Sequence, residues 1–387
     1  MSSVMSASAV RAAGYSRAPW DYWLISAAAA LAALGLVMVY SASVDYAMRT
    51  QGNSVYFLLR HVLYLAAGLI VVGMVLRTRV RWWEAAGPIL LLVGIALLVL
   101  VLIPGVGRHI NGSSRWLNVG LVTVQPSEFM KLFMVVYVAG YLVRKQEELR
   151  RFTQGILTIG IVVAIVGVLL LREPDLGSVV VICLMVLAML FLGGIRFWHF
   201  LFVVGAGAGG MVALTLIAPY RMNRVTSFLD PWADPFNTGF QLVQALIAFG
   251  RGEWFGAGLG ASVQKLSYLP AAHTDFLIAV IAEELGLVGV LAVLALYAIV
   301  AWRAFVIARQ AETVGQSYGA RLAQGLGLLL VLQAMINLGV NMGMLPTKGL
   351  TLPLMSYGGS SIIVSAAAIG LLLLVERESR GHVWGQR

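Results

Sequence analysis

Ala86-Gly87-Pro88-Ile89-Leu90-Leu91-Leu92-Val93-Gly94-Ile95-Ala96-Leu97-Leu98-Val99-Leu100-Val101-Leu102-Ile103 carries no charged or hydrogen-bonding side chain. A run of this length matches the roughly 20 residues that an α-helix needs to cross a bilayer. Outward from it, stretches of the same character fall at about 24–40, 57–76, 86–103, 128–143, 155–171, 176–193, 198–218, 277–302, 320–341 and 359–375. They are apolar on every side and rich in Gly and Ala, as spanning helices packed in a bundle are. The alternation over about 10 residues that marks a membrane β-barrel does not occur. The eighth stretch holds Glu283 and Glu284, so part of it is expected to stand above the bilayer.

Composition agrees. The 387 residues are 60% apolar and 11% charged, against about 45–50% and about 25% in soluble domains. So few charges exclude a soluble enzyme, a coiled coil and a collagen-like fibre. The predicted fold class is an all-α polytopic membrane protein with ten transmembrane helices. Cys183 is the one cysteine, so neither an intrachain disulfide nor a Cys-built metal cage is expected. The net charge of +10 (27 − 17) suits anionic lipid or phosphate. Nucleic acid is not an expected partner without a polar domain to carry that charge. Residues 1–19 lack an apolar h-region, so no cleavable signal is expected.

The Lys and Arg bias orients the chain. It places both termini in the cytoplasm, with Arg77, Arg79, Arg81, Arg144, Lys145, Arg150, Arg151, Arg303 and Arg309 on that side. The predicted layout is a cytoplasmic tail at 1–19, a membrane domain at 20–376 and a second tail at 377–387. Two long segments, 104–127 and 219–275 (the latter between helices 7 and 8), fall on the opposite face. Loops beyond about 12–15 residues are usually functional, so the chemistry is expected there. No repeat and no matched pair of broken helices points to an inverted-repeat transporter.

Ionisable residues at membrane depth cost at least about 2.5–3.5 kcal/mol each, and here they cluster at the outer ends of the stretches. The first cluster runs from Arg108 and Arg115-Trp116 to Gln125-Pro126-Ser127-Glu128 and Lys131. Two readings stand: a helix start with an internal Glu128–Lys131 pair, or an outward-facing cationic phosphate site. Arg172-Glu173-Pro174-Asp175 reads as a solvated turn or as the lining of a headgroup cleft. The long segment carries Arg221, Arg224, Lys265 and Leu269-Pro270-Ala271-Ala272-His273-Thr274-Asp275. Leu242, Leu246 and Phe249 suggest a helix lying on the membrane. Asp275 at a helix mouth would ordinarily be a cap. The last cluster, Asn341, Pro346 to Pro353 and Ser356 to Ser361, offers capping hydroxyls or N–H groups for an anion.

Together Asn111-Gly112-Ser113-Ser114-Arg115-Trp116, Gln125-Pro126-Ser127-Glu128, Pro174-Asp175-Leu176-Gly177, His273-Thr274-Asp275-Phe276, Glu283-Glu284-Leu285-Gly286 and Ser356-Tyr357-Gly358-Gly359-Ser360-Ser361 resemble the SEDS family (shape, elongation, division and sporulation). The likeness runs in family order over residues 20–376, and Pro346 to Pro353 resembles the cell-division branch more than the elongation branch. The resemblance implies a ten-span peptidoglycan glycosyltransferase of the bacterial inner membrane at the division septum, its active site facing the periplasm. The implied substrate is lipid II. The implied partners are the class B penicillin-binding transpeptidase, with FtsQ, FtsL and FtsB.

The family's catalytic Asp falls on Asp275. Expected substrate or pyrophosphate contacts are Arg108, Arg115, Lys131, Arg172, Lys265 and Ser356. Expected supporting residues are Glu128, Asp175, His273, Thr274, Glu283 and Lys348. A divalent cation, Mg or Mn, shared between Asp275 and phosphate oxygens is the implied metal, with no organic cofactor. Where the family pattern has Glu after Pro270, this chain has Ala271. A helix N-terminus would keep Asp275 ionised and suit it to a metal, whereas burial would raise its pKa and suit it to a base. The alternative functions are a lipid II flippase and a non-catalytic scaffold of the division machinery.

Overall fold

The computed structural model describes residues 20–110, 113–119, 122–217, 219–266, 269–347 and 349–384. The ten apolar stretches all lie on helices. In chain order these are α1 (Tyr22–Gln51), α2 (Tyr56–Leu76), α3 (Val80–Leu102), α4 (Pro126–Arg144), α5 (Leu157–Arg172), α6 (Leu176–Leu192) and α7 (Phe197–Ile217). After α8 (Pro219–Leu229) and α9 (Phe240–Gly252) follow α10 (Leu277–Thr313), α11 (Ser317–Asn341) and α12 (Gly359–Trp384). Among the described residues eight helices are long and apolar enough to cross a membrane, and α6 and α7 supply shorter apolar helices.

The expectation of an all-helical chain needs a correction. Residues of the 104–127 segment form a small antiparallel sheet, β1 (Gly107–Ile110), β2 (Ser113–Val119) and β3 (Val122–Val124) in that order. Trp116, Val119, Val122, Thr123 and Val124 are β-formers, and these strands are too short to span a bilayer. Their role is positional: β3 leads into Pro126, which opens α4 where a missing N–H costs nothing.

Burial sorts the helices into an inner and an outer layer. α4, α11 and α12 are buried almost throughout, with Met130, Met134, Leu322, Leu326 and Leu371 wholly enclosed. α2, α3 and α5 instead present large apolar side chains outward, among them Leu63, Leu69, Ile89 and Val168. In a bilayer these meet acyl chains, so their exposure carries no hydrophobic cost. Asp21 ties the start of α1 to α10: it accepts from Leu24 N at 3.0 Å and from Arg303 Nε at 2.7 Å. α12 continues through Trp384, and Ser379 is fully buried and donates to Gln316 Oε1 at 2.9 Å. The predicted tail from 377 therefore begins as packed helix.

α10 breaks at Gly286, whose φ of 68° and ψ of −166° interrupt the helical ladder. The exposed backbone groups are taken up by the segment after α9. Ala257 N and Gly258 N donate to the Glu283 and Glu284 carbonyls at 2.9 and 3.1 Å, while Leu287 N and Val288 N donate to Glu253 and Trp254 carbonyls at 2.9 and 3.1 Å. The side chains follow. Glu283 accepts from Ser262 Oγ (2.5 Å), Val263 N (3.0 Å) and Arg251 Nη1 (3.0 Å), and Glu284 accepts from Lys265 Nζ and Ser41 Oγ, both at 2.7 Å. These two acids are buried clamps on the long segment. α9 docks one face onto the protein through Leu242, Ala245 and Ala248.

The contact allows no side chain at Gly252. A Cβ there would lie 1.8 Å from the Ala282 carbonyl oxygen, whereas one at Gly250 would meet nothing within 4 Å. Gly252→Ala is expected to lower stability by about 3 kcal/mol, the upper end for overpacking. Gly250→Ala is expected to leave it unchanged or raise it by up to about 1 kcal/mol through helix propensity. Thermal unfolding of both variants in detergent checks this; equal midpoints would contradict the packing described.

Candidate active site

Asp275 lies in the tight turn that enters α10. Ala271 holds a left-handed φ of 58°, a conformation costing an L-residue roughly 1–2 kcal/mol. It turns its carbonyl toward three successive N–H groups, Thr274 (3.0 Å), Asp275 (3.2 Å) and Phe276 (3.3 Å), and toward Thr274 Oγ1 (3.1 Å). The N-cap of α10 is Phe276, with no side-chain cap bond, so Asp275 does not serve as the cap its position suggested.

Two asparagines of α11 hold the turn from below. Asn337 Nδ2 and Asn341 Nδ2 donate to the Asp275 carbonyl at 2.8 and 3.1 Å, and Asn337 also donates to the Leu350 carbonyl. One amide thus joins the Asp275 turn to the chain before α12. That chain passes so close that a Cβ on Gly349 would sit 2.9 Å from Asp275 Oδ2. Asn337 went unmarked in the sequence because an Asn inside an apolar helix shows no partner until the fold supplies one.

The carboxyl of Asp275 is pushed up to about 7, first by burial and then by the neighbouring charges of Asp175 and Glu128, against the downward pull of Arg115. Three separate sequence clusters therefore meet around this acid. Arg115 reaches from β2 to donate through Nε to the Glu173 carbonyl (2.9 Å) and through Nη2 to the Pro174 carbonyl (2.5 Å). Asp175 caps α6, accepting from Ser178 N at 3.2 Å and Ser178 Oγ at 2.8 Å. Glu173 is fully buried, and burial with Asp175 nearby pushes its carboxyl up to about 9 against Arg115, so it is neutral at pH 7. The Arg172 to Asp175 turn is consequently a built wall, not a solvated tip, with only Arg172 and Pro174 exposed.

Several expected contacts lie elsewhere. Lys131 is fully buried, and its ammonium donates to Glu128 Oε1 (2.8 Å) and Gln333 Oε1 (2.7 Å). It forms the internal pair and does not face outward. Lys265 is consumed by Glu284, Ser41 Oγ (2.9 Å) and the Gly260 carbonyl (2.8 Å). Ser356 is buried and accepts from Leu352 N at 2.9 Å, closing a turn. Arg108 pairs with Trp116 across β1 and β2, and Lys348 lies outside the described residues. His273 stacks among Phe57, Tyr46 and Tyr357, with ring centroids at 4.7, 5.5 and 5.6 Å. Burial lowers it to about 4, so it is uncharged at pH 7.

Among the described residues no three His, Cys, Asp or Glu side chains converge on a metal-sized site. The residues alone do not fit a resident divalent ion, and no step below passes through one. Gly349→Ala should press on Asp275 Oδ2 and displace that side chain, lowering turnover about tenfold. Unchanged turnover in a folded variant would contradict the closeness of the two chains.

Fold and site together define a polytopic membrane protein that sets one half-buried acid, flanked by an arginine and two further carboxylates, at the end of its helical bundle. The chain belongs to the FtsW, RodA and SpoVE family: the family model described as cell cycle protein matches residues 22–381. It is 56% identical to the probable peptidoglycan glycosyltransferase FtsW of Nitrosococcus halophilus, over 96% of this chain and 95% of that one. It is 53% identical to the protein of the same description in Thioalkalivibrio sulfidiphilus, over 93% and 90%. A chain of a peptidoglycan synthase complex that coordinates polymerization and crosslinking superposes with a TM-score of 0.75 at 32% identity, covering 93% of this chain and 98% of that one. The rod shape determining protein RodA of Thermus thermophilus does so at 0.67 and 29%, covering 93% and 97%.

Proposed function

We propose that this chain is a peptidoglycan glycosyltransferase that polymerises lipid II during septal wall synthesis, with Asp275 as its general base. The observation that carries this reading is the Asp275 carboxyl, raised to about 7 in a turn held by Ala271, Asn337 and Asn341. A base works best when its pKa lies near the operating pH, and a positioned one contributes about 10²–10⁴-fold. Burial outweighs the helix-end effect here because Asp275 does not cap α10, which favours the base over the metal ligand.

In this reading the 4-hydroxyl of an incoming lipid II attacks the anomeric carbon of the growing glycan. The new bond to carbon forms as the bond to pyrophosphate breaks. The hydroxyl proton passes to an Asp275 oxygen, and the departing pyrophosphate takes the bonding electrons. Arg115 is the cation whose charge acts on this acid and is suited to that developing charge. Asp275 and phosphate oxygens would together hold a Mg or Mn ion supplied with the substrate, and loss of turnover on chelation is the measurement that would add one.

The layout that suits this role crosses the inner membrane ten times with both termini in the cytoplasm and Asp275 on the periplasmic face. A class B penicillin-binding transpeptidase is the expected partner, with FtsQ, FtsL and FtsB at the septum. Purified chain given labelled lipid II, with and without the transpeptidase and with and without EDTA, should form glycan polymer on a gel. Reconstituted protein that moves lipid II across vesicles while making no polymer would replace this reading with that of a flippase.

A further inference from the structure

Phe57, at the start of α2, packs against the His273 ring beside Asp275. The opposite end of the same helix lies about 30 Å away along its axis. There Arg77, Arg79 and Arg81 alternate with Thr78 and Val80, and Trp82 follows. The three arginines and Trp82 are all exposed. Every Asp and Glu of the chain lies among the described residues, and none of them forms an ion pair with these arginines. Arginines elsewhere are held: Arg303 by Asp21, Arg380 by Glu376 and Arg321 by the Leu192 carbonyl at 3.1 Å. The turn that carries the three is itself fixed. Thr78 Oγ1 donates to the Val75 carbonyl at 2.6 Å and accepts from Trp83 Nε1 at 2.9 Å. Val80 N donates to Glu378 Oε1 at 2.9 Å, which ties the start of α3 to α12.

Positive charge beside a spanning helix helps to orient any membrane protein. This turn does more than that rule asks. It holds three like charges close together without a counter-ion from the chain, although they repel one another. Two exposed apolar stripes lead away from them. Ile70 and Met74 precede Arg77 at helical spacing on α2, and Ala85, Ile89 and Leu92 follow Arg81 at helical spacing on α3. A free phosphate would leave both stripes unused. An anionic head that carries two acyl chains satisfies the arginines and covers one stripe with each chain, while Trp82 sits where head meets tail, the level its ring prefers. We propose that the α2–α3 turn is a binding site for an anionic glycerophospholipid, its phosphate on Arg77, Arg79 and Arg81 and its chains against α2 and α3. The site stands apart from the transfer chemistry at Asp275 and does not depend on it.

The test titrates the full chain in detergent with phosphatidylglycerol or phosphatidylcholine of the same acyl chains and reads bound lipid by native mass spectrometry. Wild type should hold phosphatidylglycerol more tightly. Arg77→Gln combined with Arg79→Gln and Arg81→Gln should weaken that binding about a hundredfold, roughly fivefold for each charge removed. Arg151→Gln combined with Arg196→Gln and Arg309→Gln removes the same charge from exposed positions elsewhere and should leave binding within about twofold of wild type. Excess inorganic phosphate should not displace the lipid. Equal retention of the two lipids by wild type, equal loss in the two triple variants, or displacement by phosphate would overturn the site. If the first triple variant does not fold, Arg81→Gln alone carries the test, with a loss of about fivefold expected and no loss overturning it.

Discussion

Asp275→Asn lowers polymerisation of lipid II by about 10²–10⁴-fold, the contribution of a positioned base, and at the same time makes the protein more resistant to unfolding above neutral pH. The second effect follows from the first cause. Burial raises the carboxyl to about 7 from an ordinary value of 3.8, so ionising it costs more in the fold than in the unfolded chain. Stability from this group is complete below about pH 4 and falls as pH rises toward 7. Asn does not titrate, so the gap in melting temperature between variant and wild type should widen across that window and level off beyond it. Wild-type turnover should rise with pH through an acid limb near 7. Near wild-type polymer from Asp275→Asn would remove the residue from the chemistry. A flat melting-temperature difference would mean that the acid is not desolvated.

Lys131→Met is expected to cost about 3–5 kcal/mol, enough to aggregate the protein in detergent, because it leaves Glu128 as a buried charge without its partner. Gln333 Oε1 loses its donor in the same step. Lys131→Met combined with Glu128→Gln removes both charges and should recover folding by size exclusion, with polymer formation restored in part and its acid limb shifted to lower pH, because the Glu128 charge that helps raise Asp275 is gone. The alternative, an ammonium that meets pyrophosphate, predicts a double variant that folds and stays inactive. The two outcomes are separable because Lys131 has no exposed atom, and its partner Gln333 donates onward to the Thr351 carbonyl (3.0 Å) and not to the Asp275 turn.

Membrane class and helix positions were legible in the chain because the bilayer imposes a length and an apolar surface that no single contact can alter. Clusters of rare charges were legible for the same reason: at membrane depth each is costly enough to be informative. Which of those charges are spent on the fold was not legible. Lys131 and Lys265 read like Arg115 in sequence, yet the first two are neutralised by Glu128 and Glu284 while Arg115, among the described residues, donates to the Glu173 and Pro174 carbonyls.

The composition and the spacing of apolar runs by themselves determined that this chain is a helical membrane protein with its charged residues gathered at the ends of its apolar stretches. Only the tertiary structure decided that Asp275 is a desolvated acid instead of a helix cap, that Glu283 and Glu284 are clamps, and that the histidine beside Asp275 is a neutral ring in an aromatic wall. The reason is physical. Crossing a bilayer is a property of contiguous residues, whereas proton affinity and ion pairing depend on groups far apart in the chain, and packing alone brings those together.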